Sequence, residues 1–272
     1  MLNNLIKKTP LVMGIVNVTP DSFSDGGKYN STEKAIAHGL LLLEQGADIL
    51  DVGGESTRPN SDVVSVEEEN ERVVPVIKGL AGKAPFISID SRNAKTMAAA
   101  IDAGANMVND VSALSHDPAS IDVIAGSDVM ICLMHMRGKP QNMQDAPAYG
   151  DVVDEILSFF EHRLELCQRR NIDIGRIILD PGIGFGKTLE HNLLIINSLS
   201  RFKKFGCPVL LGASRKSFIG DICNIDEPER RVSGSISAAI YGLSQGANIF
   251  RVHDVAQTRQ AFDVYTAISR VK

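Results

Sequence analysis

No apolar run in this 272-residue chain approaches the ~18 residues that cross a bilayer. The first ten residues, Met1 to Pro10, lack the apolar core of a secretory signal. Cys132, Cys167, Cys207 and Cys223 form no CxxC pair, and three of them sit in apolar or helical context. They read as reduced structural thiols, so a cytoplasmic location is expected. Nor is there an excess of positive charge. The 28 basic and 33 acidic residues leave a net charge of −5, which argues against nucleic acid or an anionic membrane as partner. Any anionic ligand must be drawn by a local basic cluster. Linkers, low-complexity tracts and a second compositional region are also missing, so residues 1–272 are expected to form one domain.

What the chain does have is alternation. Short apolar runs recur at Leu11–Val16, Ile49–Val52, Phe86–Ile89, Met107–Val111, Val129–Met134, Ile177–Leu179, Pro208–Leu211 and Ile249–Val252. The segments between them carry helical periodicity: 31–45, the stretch opened by Ser65 and Glu68, 92–103, 117–126, 150–170, 188–200, 230–245 and 255–268. Ser65 with Glu68 has the spacing of a capping box. Gly46, Gly104 and Gly246 each fall just past a helix, where a left-handed cap is wanted. Strands that are apolar throughout are covered on both faces. Eight strand–helix units close into a (β/α)₈ barrel, with a doubly wound open sheet as the competing arrangement.

In a barrel the carboxyl ends of the strands converge on one mouth. Here those ends are polar. They carry Asn17, Glu55 to Pro59, Asp90-Ser91-Arg92, Asn109-Asp110, His135-Met136-Arg137, Asp180 to Thr188, Ser214 to Ser217 and Arg251 to Asp254. A ring of carboxylates, amides and bases costs desolvation energy unless it meets a ligand. Asp90, Asn109 and Asp180 offer acceptors suited to a flat heterocycle with several N–H groups, such as the edge of a pterin. For Asp90 alone, a helix cap explains the residue as well. Arg58, Lys216, Arg251 and His253 make a cationic half, and the helix start after Arg251-Val-His-Asp254 adds backbone N–H groups for an oxyanion. His135 reads as a packed, supporting residue. The glycines of Gly182-Ile-Gly-Phe-Gly-Lys-Thr188 fit neither nucleotide-binding spacing. They are expected to let backbone approach a ligand, with Phe185 as a stacking face.

These motifs, in this order, resemble the dihydropteroate synthases along the whole chain. The resemblance is carried by Asn17–Gly27, Asp51–Pro59, Ser88–Ser91, Asn109-Asp110, Leu133–Gly138, Asp180–Thr188, Gly212–Ser217 and Arg251–His253. It implies an enzyme of folate biosynthesis that joins 6-hydroxymethyl-7,8-dihydropterin diphosphate to 4-aminobenzoate, releasing diphosphate. It implies that Asp90, Asn109, Asp180 and Lys216 hold the pterin. It implies Mg²⁺ on Asn17, and diphosphate on Thr57, Arg58, Arg251 and His253. Phe23, Thr57, Pro59, Phe185, Lys216 and Ser217 would line the aminobenzoate pocket, where sulfonamides would compete. Asn17, Arg251, His253 and Lys216 are the expected catalytic residues. Replacing Asn17, Arg251 or His253 by alanine is expected to lower turnover far more than stability. The family also implies a homodimer.

Two other functions share parts of this pattern. A corrinoid-dependent methyltransferase binding methyltetrahydrofolate would share the acceptor set but needs no diphosphate clamp. A non-catalytic pterin sensor would have no use for a metal ligand at Asn17.

Overall fold

The first strand, β1 (Leu11–Asn17), is buried at every position but its last and takes neighbours on both sides. The structure is a computed structural model that describes residues 9–18, 28–55, 64–138, 143 and 147–271. Seven further strands follow: β2 (Ile49–Gly53), β3 (Ile87–Asp90), β4 (Met107–Asp110), β5 (Met130–Met134), β6 (Ile177–Asp180), β7 (Leu210–Leu211) and β8 (Ile249–Val252). All pair in parallel, in the order β6-β5-β4-β3-β2-β1-β8-β7. The two ends of that order meet. Leu179 bridges to Val209, and the Leu179 N–H donates to the Pro208 carbonyl at 2.9 Å. The cylinder is therefore closed, and the open-sheet alternative is set aside.

Helices cover the outside: α1 (Lys28–Glu44), α2 (Val66–Leu80), α3 (Ala94–Asp102), α4 (Ser120–Ala125), α5 (Val152–Arg169), α6 (Leu189–Asn197), α7 (Ser217–Cys223), α8 (Val232–Ser244) and α9 (Val255–Arg270). Eight were expected; α7 is the addition, a short helix between β7 and α8. Ser65 caps α2 by accepting the Glu68 N–H at 3.2 Å. Only half of the expected capping box is made, because the Glu68 carboxylate turns to Arg72 one turn on, at 2.5 Å. A complete box stands instead at Thr188 and His191, at the start of α6. Gly46, Gly104 and Gly246 take the expected left-handed conformation.

The strands are apolar on both faces, but the two faces do different things. Residues pointing outward, such as Val12, Leu50, Ile89, Val108, Ile131, Leu179 and Phe250, pack under the helices. Residues pointing inward, Leu11, Met13, Ile49, Met107, Met130, Cys132, Ile178, Leu210 and Ile249, fill the cylinder. Side chains alternate along a strand with period two. Two residues beyond Ile49, Met107, Ile178 and Ile249 stand Asp51, Asn109, Asp180 and Arg251. The polar residues of the mouth are thus the top layer of the same inward-facing column that builds the apolar plug. Among the described residues no helix is long and apolar enough to cross a membrane.

Candidate active site

The mouth centres on Arg251, near the end of β8. Its Nε donates to Asp51 at 2.6 Å and its NH2 to Asp90 at 2.7 Å. Asn109 donates to the same Asp51 oxygen at 3.1 Å. Asp51 is fully buried, and its other oxygen, Oδ1, has no partner. Two carboxylates thus share one guanidinium. Burial pushes the Asp90 carboxyl up to about 7, with Arg251 opposing and Asp51 adding to the rise. For Arg251 itself burial disfavours the charge, but Asp51 and Asp90 together outweigh it and raise the pKa. The expected division into an acceptor half and a cationic half is therefore too simple. Arg251 sits inside the acceptor set, with two of its three nitrogens already engaged.

Asp180, at the tip of β6, accepts the Gly182 N–H at 2.7 Å. Burial raises its pKa, opposed first by Lys216. Asp180 and Arg251 come close at the tip of β7. A Cβ placed on Gly212 would lie 3.9 Å from both Asp180 Oδ2 and Arg251 Cβ. A larger residue there would crowd the space between them. Lys216 follows on the same loop. Its Nζ donates to the Ile183 carbonyl and stands 4.4 Å from the centroid of the Phe185 ring. Burial lowers the Lys216 pKa to about 8, with Asp180 resisting the fall. The Phe185 face is thus partly taken by an ammonium group. Ser217 opens α7 and is exposed.

His253 stands just past β8, its Nδ1 3.0 Å from Ser214 Oγ. Its backbone N–H also donates to Ser214 Oγ at 3.2 Å. That N–H is therefore committed to protein, whereas the helix-start N–H groups expected to meet an oxyanion belong to α9, which begins at Val255. The loops after β7 and β8 are joined by Arg215, whose Nε and NH2 reach Asp254 at 3.0 and 2.6 Å. Arg215 adopts a left-handed backbone, φ 58°, to make this bidentate pair. Asn17, half-buried at the end of β1, stands opposite Gly53 in the strand register.

The glycines of the β6 loop correct a second expectation. Gly182 has φ 69°, and a Cβ there would collide with the His135 carbonyl. Gly186 has φ 63°, and its Cβ would lie 2.5 Å from the Arg137 carbonyl. These glycines seat the loop on its neighbour after β5 rather than on a ligand. His135 is buried, edge-on to Phe159 with ring centroids 4.9 Å apart. Burial, helped by Lys187 and Arg137, pushes its pKa down to about 3, so the ring is neutral.

The structure brings together Asp90, Asn109, Asp180, Phe185, Lys216, Arg251 and His253 on or beside one rim, with Asn17 at the end of β1 and Ser217 at the start of α7. Phe23, Thr57, Arg58 and Pro59, and the loops at 18–28 and 56–64 that would close over substrates, lie at positions largely outside the described residues. Sequence reasoning missed Asp51 as a site residue, although its place two residues beyond inward-facing Ile49 marks it. Lys187, buried against His135 and the Phe185 carbonyl, carries no periodic signal in the sequence. Asp110 is separated from its neighbour Asn109. Its oxygens accept the Ser112 and Leu114 N–H groups, each at 2.7 Å, and so hold a turn rather than the mouth.

Among the described residues no three His, Cys, Asp or Glu side chains gather to hold a metal ion. The donor available at the mouth, the Asn17 amide, suits Mg²⁺. That ion keeps most of its shell as water and substrate phosphate and needs few protein ligands.

Residues 13–253 match the family described as pterin binding enzyme. The dihydropteroate synthase of Escherichia coli K12 is 44% identical over 264 residues, covering 97% of this chain and 93% of that protein. The Xanthomonas albilineans dihydropteroate synthase with 4-aminobenzoic acid superimposes with a TM-score of 0.92 at 47% identity, covering 97% of this chain and 95% of that one. The same enzyme in complex with 7,8-dihydropteroate gives 0.89 at 44% identity, with the same coverage. This full-length likeness decides against the methyltransferase and the sensor. The chain belongs to the pterin-binding enzyme family, among its dihydropteroate synthases.

Proposed function

We propose that this mouth joins 6-hydroxymethyl-7,8-dihydropterin diphosphate to 4-aminobenzoate. The observation that carries the reading is the set of buried and half-buried groups Asp90, Asn109, Asp180 and Lys216 gathered with Arg251 at one rim. Asp90, Asn109 and Asp180 bind the N–H edge of the pterin. Phe185, Lys216 and Ser217 form the aminobenzoate wall with Phe23, Thr57 and Pro59. His253 and the free edge of Arg251, with Thr57 and Arg58, face the diphosphate.

The chemistry needs no strong base. The C–O bond to the diphosphate breaks and its electron pair leaves with the diphosphate. The methylene cation left behind is conjugated with the pterin ring, and the negative charge around Asp51 and Asp90 steadies it. The arylamine nitrogen then forms the C–N bond and afterwards releases its proton to solvent. Asn17 would hold Mg²⁺, which would supply positive charge to the leaving diphosphate. The protein supplies positioning: Asp51 aims Arg251 and Asn109, and Ser214 orients His253.

We extend the reading to the whole molecule. The cleft between α8 and α9 is lined by Ile236, Ile240, Val264 and Ile268. It lies on the outer helical layer, away from the mouth. Val264 is 56% and Ile268 68% exposed, an apolar face suited to a second copy of the chain in a homodimer. The chain is read as one cytoplasmic domain with small-molecule substrates and no nucleic-acid or membrane partner. Incubation with both substrates and Mg²⁺ tests the function. Equimolar 7,8-dihydropteroate and diphosphate are expected; diphosphate release that ignores 4-aminobenzoate would contradict it.

A further inference from the structure

Lys187 is the only lysine or arginine among the described residues that is fully buried, 3% exposed. No step above uses it. Its three N–H donors meet three acceptors: the Phe185 carbonyl at 3.0 Å, the His135 carbonyl at 3.3 Å and His135 Nδ1 at 3.1 Å. For the ammonium to donate to Nδ1, the neutral imidazole must carry its proton on Nε2. Burial presses the Lys187 pKa down to about 7, with Asp180 resisting. A cation is an expensive way to fill such a space. A methionine would fill it without the desolvation cost. What the ammonium adds is direction.

That direction runs toward the site. Lys187 ties the loop after β6 to the loop after β5, at the place where Gly182 and Gly186 let the two backbones touch. The tied loop presents Phe185 and the Ile183 carbonyl, and both are contacts of Lys216. Gly184 lies between them, where a Cβ would come within 3.1 Å of Lys216 Cδ. Any shift of the loop moves Phe185 and Lys216 together.

We propose that Lys187 is a positioning residue of the aminobenzoate pocket: its ammonium pins the Phe185 main chain to His135 and so sets where Phe185 and Lys216 stand. This rests on the assignment of Phe185 to that pocket. The test is a double-mutant cycle on the KM for 4-aminobenzoate, with Lys187→Met, Phe185→Ala and the double variant. Each single change is expected to raise KM about tenfold, and the double to match the worse single within about twofold, because one residue acts through the other. Effects that multiply to about a hundredfold, or an unchanged KM in Lys187→Met, overturn the proposal while leaving the pocket assignment in place. An unchanged KM in Phe185→Ala strikes the pocket assignment first and this proposal with it. If Lys187→Met yields no folded protein, the cycle is run with Lys187→Gln, which keeps two N–H donors. No folded protein from either variant assigns Lys187 to the fold and overturns its role at the site.

Discussion

Arg251→Ala strips the cation from between Asp51 and Asp90. The sequence alone points to a loss of turnover far larger than any loss of stability. The structure adds that the loss of stability is itself sizeable. Asp51 is wholly buried and one of its oxygens is already unpartnered, so the variant leaves a charge with no counter-ion. Removing one partner of a buried pair costs about 3–5 kcal/mol. Each kcal/mol lowers the melting temperature of a protein of this size by roughly 2–4 °C. A fall on the order of 10 °C is therefore expected at neutral pH. The deficit also depends on pH. The folded pKa of Asp90, about 7, lies above its ordinary value of 3.8. A carboxyl raised in this way stabilises the fold below its ordinary pKa, and that contribution is lost as pH climbs through the folded value. Arg251 is the group that opposes the rise, so without it the folded pKa moves higher still. The loss then continues to higher pH, and the gap between variant and wild type widens. Thermal melts by circular dichroism at about pH 5 and about pH 8 measure this. Equal melting of the two proteins at both values would refute the reasoning.

Asn17→Ala should lower the rate by about a hundredfold and weaken the dependence on added Mg²⁺ without moving the thermal melt, as diphosphate release against Mg²⁺ concentration would show. Gly182→Ala forces a side chain into the His135 carbonyl and should destabilise by about 3 kcal/mol or more. Gly206→Ala, at a nearly equal φ of 70° with nothing within 4 Å of the new carbon, should cost only about 1–2 kcal/mol, and urea melts compare the two. Ile268→Glu with Val264→Glu should turn a dimer into a monomer in sedimentation velocity while leaving the helical circular dichroism unchanged.

The strands were legible because each is a short apolar run ended by a polar tip, and burial on both faces requires such runs. β4 and β5 are each one residue shorter than expected and β7 two, at Leu210–Leu211, although the Pro208 carbonyl and Val209 still help close the cylinder. Helix α7 was hidden because seven residues make fewer than two turns, too few for a periodic stripe. At the site, Asp90, Asn109, Asp180 and Arg251 could be found from their place at strand ends. What the sequence did not show is how they pair. Arg251 could have faced a ligand alone, and the contact with Asp51 spans 200 positions of chain. Lys187 was hidden for the same reason. Its partners lie on another loop, and the glycines that bring that loop close leave no trace of their purpose in the spacing.

The most direct measurement is a crystal structure with a non-reacting pterin diphosphate analogue bound. The account predicts the ring between Asp90, Asn109 and Asp180, with its diphosphate beside His253 and the outer edge of Arg251. A diphosphate bound anywhere else, with Asp51 and Arg251 facing an empty mouth, would contradict it.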